Sequence, residues 1–336
     1  MTVIGENGDQ MSEAYFSFHS TATGYNHINN DKVCEDSAGS YDEEDLHICV
    51  VADGHGSDNY PRTDRGSGFA VHSSIECIRE FIGETSPEEI VKDDENKLLK
   101  QLSERILIKW NELVKDDCEK NPFIEDELVN VSDKYRQLYL SGSDAKKAKK
   151  AYGTTLIAYV VWKGCSFGLQ IGDGKCVVVE RDASFTEPVP WDDECSFNIT
   201  TSICDDNAAE EFRFYVSGTA PAAVFCGSDG IDDSYTGMEE VYALYRSMLT
   251  ILGEHGKDVF TKEIEEYLPV LSRKGSGDDV SVACIIDHDR IADIMPVLKL
   301  QADMFKLEDE LEKKRQLLIM KTEELRKETN GSKDMR

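Results

Sequence analysis

The sequence predicts a mixed α+β fold, and three observations carry that prediction. Short apolar runs of strand length begin or end in acidic glycine turns. Stretches of helical period lie between and after these runs. A long stretch with 3-4 apolar spacing then closes the chain.

In chain order, residues 14–21 (AYFSFHST) alternate loosely and read as a first strand. Residues 24–36 are a polar loop ending in the pair Glu35-Asp36, and 40–45 read as an acidic hairpin loop. The organising stretch is 46–52, a continuous apolar run of the kind buried on both faces of a sheet. It delivers Asp53 to the turn Gly54-His55-Gly56. A carboxylate at the exit of such a strand has a rigid base and an open tip. The flanking glycines let backbone carbonyls approach whatever that carboxylate holds.

Helical spacing marks 65–82, through Phe69, Ala70, Ile75 and Ile78, and 95–118, through Leu98, Leu102 and Ile106. The segment 119–152 ends in the Lys-rich AKKAKKAY, which reads as a solvated helix face. Strands are expected at 154–162, 165–171, 176–180, 212–216 and 224–226, with a last one at 280–286. Residues 186–207, with Pro188 and Pro190, form a loop or flap, and amphipathic helices cover 239–252 and 259–271. From Pro296, Val297, Leu300, Met304, Leu307, Leu311, Leu318 and Leu325 keep a heptad seam in which Lys314 and Lys321 occupy two positions. Such a helix pairs with a partner helix, a second copy included, or packs back on its own domain. The expected organisation is a catalytic domain over 12–290 and a helical tail over 291–336.

The 336 residues, 40% of them apolar, can bury a sizeable core. The net charge of −29 lies in the body, because nine Lys/Arg nearly balance eight Asp/Glu from Phe305 onward. So acidic a body disfavours nucleic acid and anionic membranes as partners and suits divalent cations. Ten cysteines stand singly with no C-x-x-C pair, a usage that suits a reducing cytoplasm. The first twenty residues carry no basic-plus-apolar leader, and no run reaches membrane-spanning length, so a soluble cytoplasmic protein is expected.

The acids at strand ends form the candidate site: Glu35-Asp36, Asp53, Asp173 in IGDG, Asp229 in SDG, and Asp278-Asp279 in GSGDD. Each alone is an ordinary turn residue. Gathered, they would repel one another strongly unless a cation lay between them. Oxygen donors favour Mg2+ or Mn2+ over zinc, and no twelve-residue calcium loop is present.

At these residues the chain resembles the protein phosphatase 2C family, the metal-dependent serine/threonine phosphatases. The pieces come in the family's order over about 15–287: Glu35-Asp36-Ser37, Ala52-Asp53-Gly54-His55-Gly56, Gly153-Thr154-Thr155, Ile171-Gly172-Asp173-Gly174, Gly227-Ser228-Asp229-Gly230 and Gly277-Asp278-Asp279-Val280-Ser281. Gly24 to His27, with Cys34 before the acidic pair, looks most like a bacterial branch.

The resemblance implies a four-layer αββα sandwich, with two antiparallel sheets face to face and helices outside. It implies two Mn2+ or Mg2+ ions, and a third at a weaker site. Asp53 would bridge two ions, Asp229 and Asp278 would complete one, and Glu35 with the Gly54 carbonyl the other. Asp173, with Asp229, matches the third site, and Asp36 and Asp279 would orient ligands from behind. Two ions about 3.5–4 Å apart would acidify a water for in-line attack on phosphorus. His55 holds the general-acid position. The implied partners are a phosphoprotein substrate and a cognate Ser/Thr kinase. One departure stands out: the family's phosphate-clamping arginine falls at Asp31, which leaves Lys32, His27 and Arg62 as substitutes. The expected function is a protein serine/threonine phosphatase; the alternative is a catalytically weak, metal-binding pseudophosphatase that acts as an interaction module.

Overall fold

The computed structural model describes residues 15–141, 148–192, 195 and 200–331. Two antiparallel sheets dominate them. One has the strand order β1-β10-β9-β6-β7: β1 is Tyr15–Ala22, β6 Lys175–Val179, β7 Phe185–Thr186, β9 Ala223–Gly227 and β10 Val280–Asp287. The other runs β2-β3-β4-β5-β8: β2 is Ser37–Glu43, β3 Leu46–Ala52, β4 Leu156–Trp162, β5 Cys165–Ile171 and β8 Arg213–Ser217.

Alternation along these strands builds three apolar layers. Cys49, Val51, Ile157 and Tyr159 meet Val178, Val224, Cys226 and Ile285 between the sheets. Their neighbours Ile48, Val50, Ala158 and Val160 face outward, under helices α1 (Thr63–Ile82) and α2 (Lys97–Lys120). On the far side, Val177, Phe225, Val282 and Cys284 face α3 (Met238–His255) and α4 (Lys257–Lys274) through Leu249, Leu252, Phe260 and Ile264. Strands with a helix layer on one face and a sheet on the other have no solvent side. That is why β3, β4, β5 and β9 read as unbroken apolar runs. The architecture is the four-layer sandwich that the resemblance implies.

Several local readings change. Ser40 to Glu43, expected as loop, belongs to β2, paired with β3 from Ser37 opposite Ala52 to Glu43 opposite Leu46. This strand lies at a sheet edge, so half of it faces solvent and lacks the apolar signature. The loop after β1 contains a helical turn, Tyr25–Asn29, set by a long-range contact rather than by apolar period: the Gly24 N–H donates to the Asp279 carboxylate at 2.6 Å. Of the Lys-rich run, 145–147 lie outside the described residues. The rest is not a solvated face, because Ala151 and Tyr152 are buried and Lys150 pairs with Asp205 at 2.6 Å. Between these parts, Asp133–Leu140 forms a helix whose Tyr139 hydroxyl donates to the Asn59 carbonyl at 2.7 Å.

The last helix, α5 (His288–Gly331), starts inside the body. Ile291, Ile294 and Leu298 are buried in the α3–α4 layer, and Gln301 donates to the Ala183 carbonyl at 3.0 Å. Beyond Phe305 every described side chain of α5 is exposed. All ten cysteines are free thiols, and among the described residues no helix is long and apolar enough to cross a membrane.

Truncating Leu298 to alanine should therefore cost about 2–5 kcal/mol in urea denaturation, as in other closed cores. Lys306→Ala, one helical stretch later, should stay within about 0.5 kcal/mol of the parent. Equal, small effects at both positions would mean that α5 is not part of the folded body.

Candidate metal centre

Strand register brings the acids to one end of the sandwich. Antiparallel pairing puts Ser37, next to Asp36, opposite Ala52, next to Asp53. The same end carries Ile171, two residues before Asp173, opposite Leu156. In the other sheet Gly227, two residues before Asp229, lies opposite Val282, four residues after Asp278. Between the sheet ends lies a pocket of about 120 Å³ lined by Asp36, Asp53, Gly54, His55, Asp173, Thr155, Asp229, Asp278 and Asp279.

The backbone around these side chains is tied down from several directions. The Asp53 N–H donates to Thr155 Oγ1 at 3.1 Å, and its carbonyl accepts from the Thr155 N–H at 2.8 Å and Thr154 Oγ1 at 2.7 Å. Gly54 passes so close to the Glu35 carbonyl that a Cβ would sit 2.3 Å from that oxygen. Asp279, only 3% exposed, accepts the N–H groups of Gly24 and Glu35, each at 2.6 Å. It thereby fastens the 24–36 loop to the start of β10 and leaves its neighbour Asp278 open to solvent.

Burial and mutual repulsion raise the proton affinity of this cluster. Asp53 is pushed well above the ordinary carboxylate range, first by burial and then by Asp36, Asp229 and Asp173. Asp36 is pushed up by burial and by Asp279, against hydrogen bonds from Ser228 and Ser281. Burial also raises Asp229, although a hydrogen bond with Asp53 opposes it. Burial raises Glu35 as well, and His27 and Lys32 pull it back down. Buried oxygens of Glu35 and Asp36 lack hydrogen-bond partners. Among the described residues no three side chains already close on a single ion-sized point. The acids nonetheless fit a hard divalent cation: six aspartates line the small pocket, one of them, Asp36, with an unpartnered oxygen, and Glu35, which also has one, lines the adjoining cleft beside Lys32.

The three basic candidates separate clearly. Arg62 is excluded as a phosphate ligand: it is 2% exposed, and its guanidinium donates to Glu127 at 2.6 and 2.8 Å and to the Tyr152 hydroxyl at 2.7 Å. It is a structural cation, stacked 3.7 Å from the Phe123 ring centroid. His27 is enclosed by acids, with Nδ1 3.0 Å from Asp279 Oδ1 and Nε2 3.8 Å from Glu35 and 3.9 Å from Asp278. Lys32 remains exposed, and its Nζ donates to the Gly56 carbonyl at 3.3 Å, at the rim of the pocket. Asp31, with φ of 53°, occupies the left-handed position that turns the chain toward Lys32.

His55 lies beside the acids with its ring 4.7 Å from that of Tyr60. Burial, with a contribution from Lys150, pushes its imidazole down to about 4, while Asp205 and Asp173 act the other way. The unliganded ring is therefore neutral at pH 7.

Other residues of the site carried no sequence signal, because their partners are far away in the chain. The flap is anchored to the Asp173 turn: the Gly172 N–H donates to Thr201 Oγ1 at 3.0 Å, and that hydroxyl donates to Asp192 at 2.7 Å. Arg213 donates to the carbonyls of Gly172 and Pro190, so β8 holds both the turn and the flap. Flap residues 193, 194 and 196–199 lie outside the described residues.

A family model described as protein phosphatase 2C matches residues 23–269. Among solved structures, an arginine-to-lysine variant of a bacterial serine phosphatase is 12% identical, with 81% of this chain and 97% of that one covered and a TM-score of 0.51. PppA, a regulatory component of T6SS in Pseudomonas aeruginosa, is 16% identical over 81% and 97%, with a TM-score of 0.50. At such identities the likeness shows the fold alone. No curated protein matches the chain. With a family match over most of its length and the sandwich to go with it, the chain belongs to the protein phosphatase 2C family.

Proposed function

We propose that this protein is a metal-dependent protein phosphatase that hydrolyses phosphoserine and phosphothreonine. The observation that carries this reading is the gathering of Asp53, Asp173, Asp229 and Asp278 with Gly54 and His55 around one pocket. Asp53 would hold two Mn2+ or Mg2+ ions, with Asp229 and Asp278 on one, Glu35 and the Gly54 carbonyl on the other, and Asp173 at a third. When bound, the ions supply Lewis acidity: they acidify water for attack on phosphorus and neutralise the phosphoryl oxygens.

The chain's own residues do the rest. The Thr154 and Thr155 contacts hold Asp53 by its backbone, so its carboxylate does not swing away as charge changes. Lys32, which also draws the Glu35 pKa down, takes the place of the family's arginine and meets the phosphate at the rim. His55 would protonate the leaving seryl or threonyl oxygen. It has to gain a proton first, and a phosphoryl dianion beside it raises its pKa, as Asp173 and Asp205 already do. A Ser/Thr kinase that forms the same phosphoester is the opposing partner, and a second copy joined through α5 belongs to the same reading. The ten free thiols suit a cytoplasmic setting.

The decisive assay is hydrolysis of para-nitrophenyl phosphate with Mn2+, Mg2+ or chelator. Asp53→Ala and Asp278→Ala should each lower metal-dependent turnover about 100-fold or more. Full activity in either variant rejects the mechanism. Absence of turnover in the parent, with Mn2+ bound in calorimetry, would instead favour the pseudophosphatase, a reading that the neutral His55 and Asp31 support.

Lys32→Ala should raise KM about tenfold with a smaller change in kcat, the signature of lost phosphate binding. Arg62→Ala should instead lower the melting temperature, because it leaves Glu127 unpaired.

Stability of the metal-free protein should fall as pH rises from about 5 to about 8. Asp36, Asp53 and Asp229 have folded-state pKa values above the unfolded ones, so the folded state binds the extra protons and loses that advantage as they leave. Saturating Mn2+ should remove the decline in thermal unfolding curves. A decline of the same size with metal present would show that these carboxylates do not face the ion.

A further inference from the structure

Past Phe305 every described side chain of α5 is exposed, Leu311 by 60% and Leu318 by 67%, while Asp309 and Lys313 on its body side still border a cavity against α3 and α4. Its seam residues Leu300, Met304, Leu307, Leu311, Leu318 and Leu325 are all exposed. The body-facing side chains Ile291, Ile294, Leu298 and Phe305 lie about 150° away around the helix at ~100° per residue. The body therefore does not cover the seam. A stripe of this length at 3-4 spacing matches a second helix of the same kind.

We infer that the seam is covered by the α5 of a second copy of this chain, running antiparallel. Three features select that occupant and that direction. The first is the pair of lysines in the seam. A parallel in-register pair would face Lys314 with Lys314 and Lys321 with Lys321, like charges in the middle of the interface. Antiparallel pairing sets Leu307 against Leu318, Leu300 against Leu325, Leu311 against Lys314 and Met304 against Lys321 of the second copy. Each lysine stem then packs on an apolar side chain while its ammonium reaches the flank.

The second feature is self-complementary charge. Glu308, Asp309, Glu310 and Glu312 precede Lys313, Lys314 and Arg315, so reversing one copy lays its basic block on the acidic block of the other. In this register the flanking residue Glu308 faces Arg315 of the second copy, twice by symmetry. Among the described residues these bases pair with acids of their own helix, Lys313 with Asp309 at 2.6 Å, Arg315 with Glu312 at 3.6 Å and Lys314 with Glu310 at 4.0 Å. Such exposed pairs are weak and exchange readily.

The third feature is the acidity of the body. The whole net charge of −29 precedes Phe305, since the residues from there on sum to one positive charge. A parallel pair would hold two such bodies side by side. An antiparallel pair puts them on opposite sides of the seam: Phe305 of one copy faces residue 320 of the other, so the two exits lie about 22 Å apart along the axis, more than two Debye lengths at physiological salt.

The inference deepens the partner part of the proposed function and is read by mass, independently of turnover. Light scattering of the full chain at tens of micromolar should give about twice the chain mass of 37.7 kDa. Arg315→Glu should weaken the dimer about tenfold or more by sedimentation, since it turns two attractive flanking pairs repulsive. Adding Glu308→Arg should restore it, whereas adding Glu310→Lys, which faces residue 315 only in a parallel pair, should not. All four proteins should hydrolyse para-nitrophenyl phosphate alike. A monomeric parent, an Arg315→Glu variant that still dimerises fully, or rescue by Glu310→Lys in place of Glu308→Arg would each overturn the antiparallel pair.

Discussion

Mutual repulsion among carboxylates at one end of the sandwich is the constraint on which the rest of this structure depends. Burial first, and then neighbouring carboxylates of the same cluster, raise the proton affinity of Asp36, Asp53 and Asp229. Left to themselves such groups would separate or draw in water. They stay together because their backbones belong to strands with apolar layers on both faces and cannot yield without opening a core. Polar anchors add to this: Thr154 and Thr155 hold Asp53, Ser228 and Ser281 face Asp36, and Asp279 clasps the 24–36 loop. The stability of the sheets maintains a site that electrostatics alone would disperse, and the proposed divalent cations would relieve that tension.

The basic residues show how little the identity of a charge says without its surroundings. Arg62, His27 and Lys32 are all close to the acids in sequence, yet each has a different task. Arg62 spends its hydrogen bonds on Glu127 and Tyr152 and joins α1 to the 119–152 segment. His27 closes a ring of acids. Lys32 alone projects over the pocket rim, on a turn that Asp31 makes possible by its left-handed conformation.

The C-terminal helix divides by function at Phe305. Its first turns complete the layer over β9 and β10, which ties the helix direction to the body. Its later turns keep a seam that the body never meets. A buried start and exposed later turns are what the inferred pairing of two copies requires.

The sequence by itself determined the central strands, the long helices and the acidic set. These follow from local rules: unbroken apolar runs, helical period, and acids beside glycine where a strand must turn. It also carried the seam of α5, because heptad spacing is a property of one helix. Only the tertiary structure decided what lies across the molecule. β2 is a strand because β3 pairs with it, although its own residues read as loop. The turn at Tyr25 exists because Asp279, more than 250 positions away, accepts the Gly24 N–H. The burial of Arg62 against Glu127 and Tyr152, the anchoring of the flap through Thr201 and Arg213, and the neutral state of His55 all rest on partners distant in the chain. Burial and long-range hydrogen bonds leave no periodic trace in a sequence, and at this site they decide which charges are free to act.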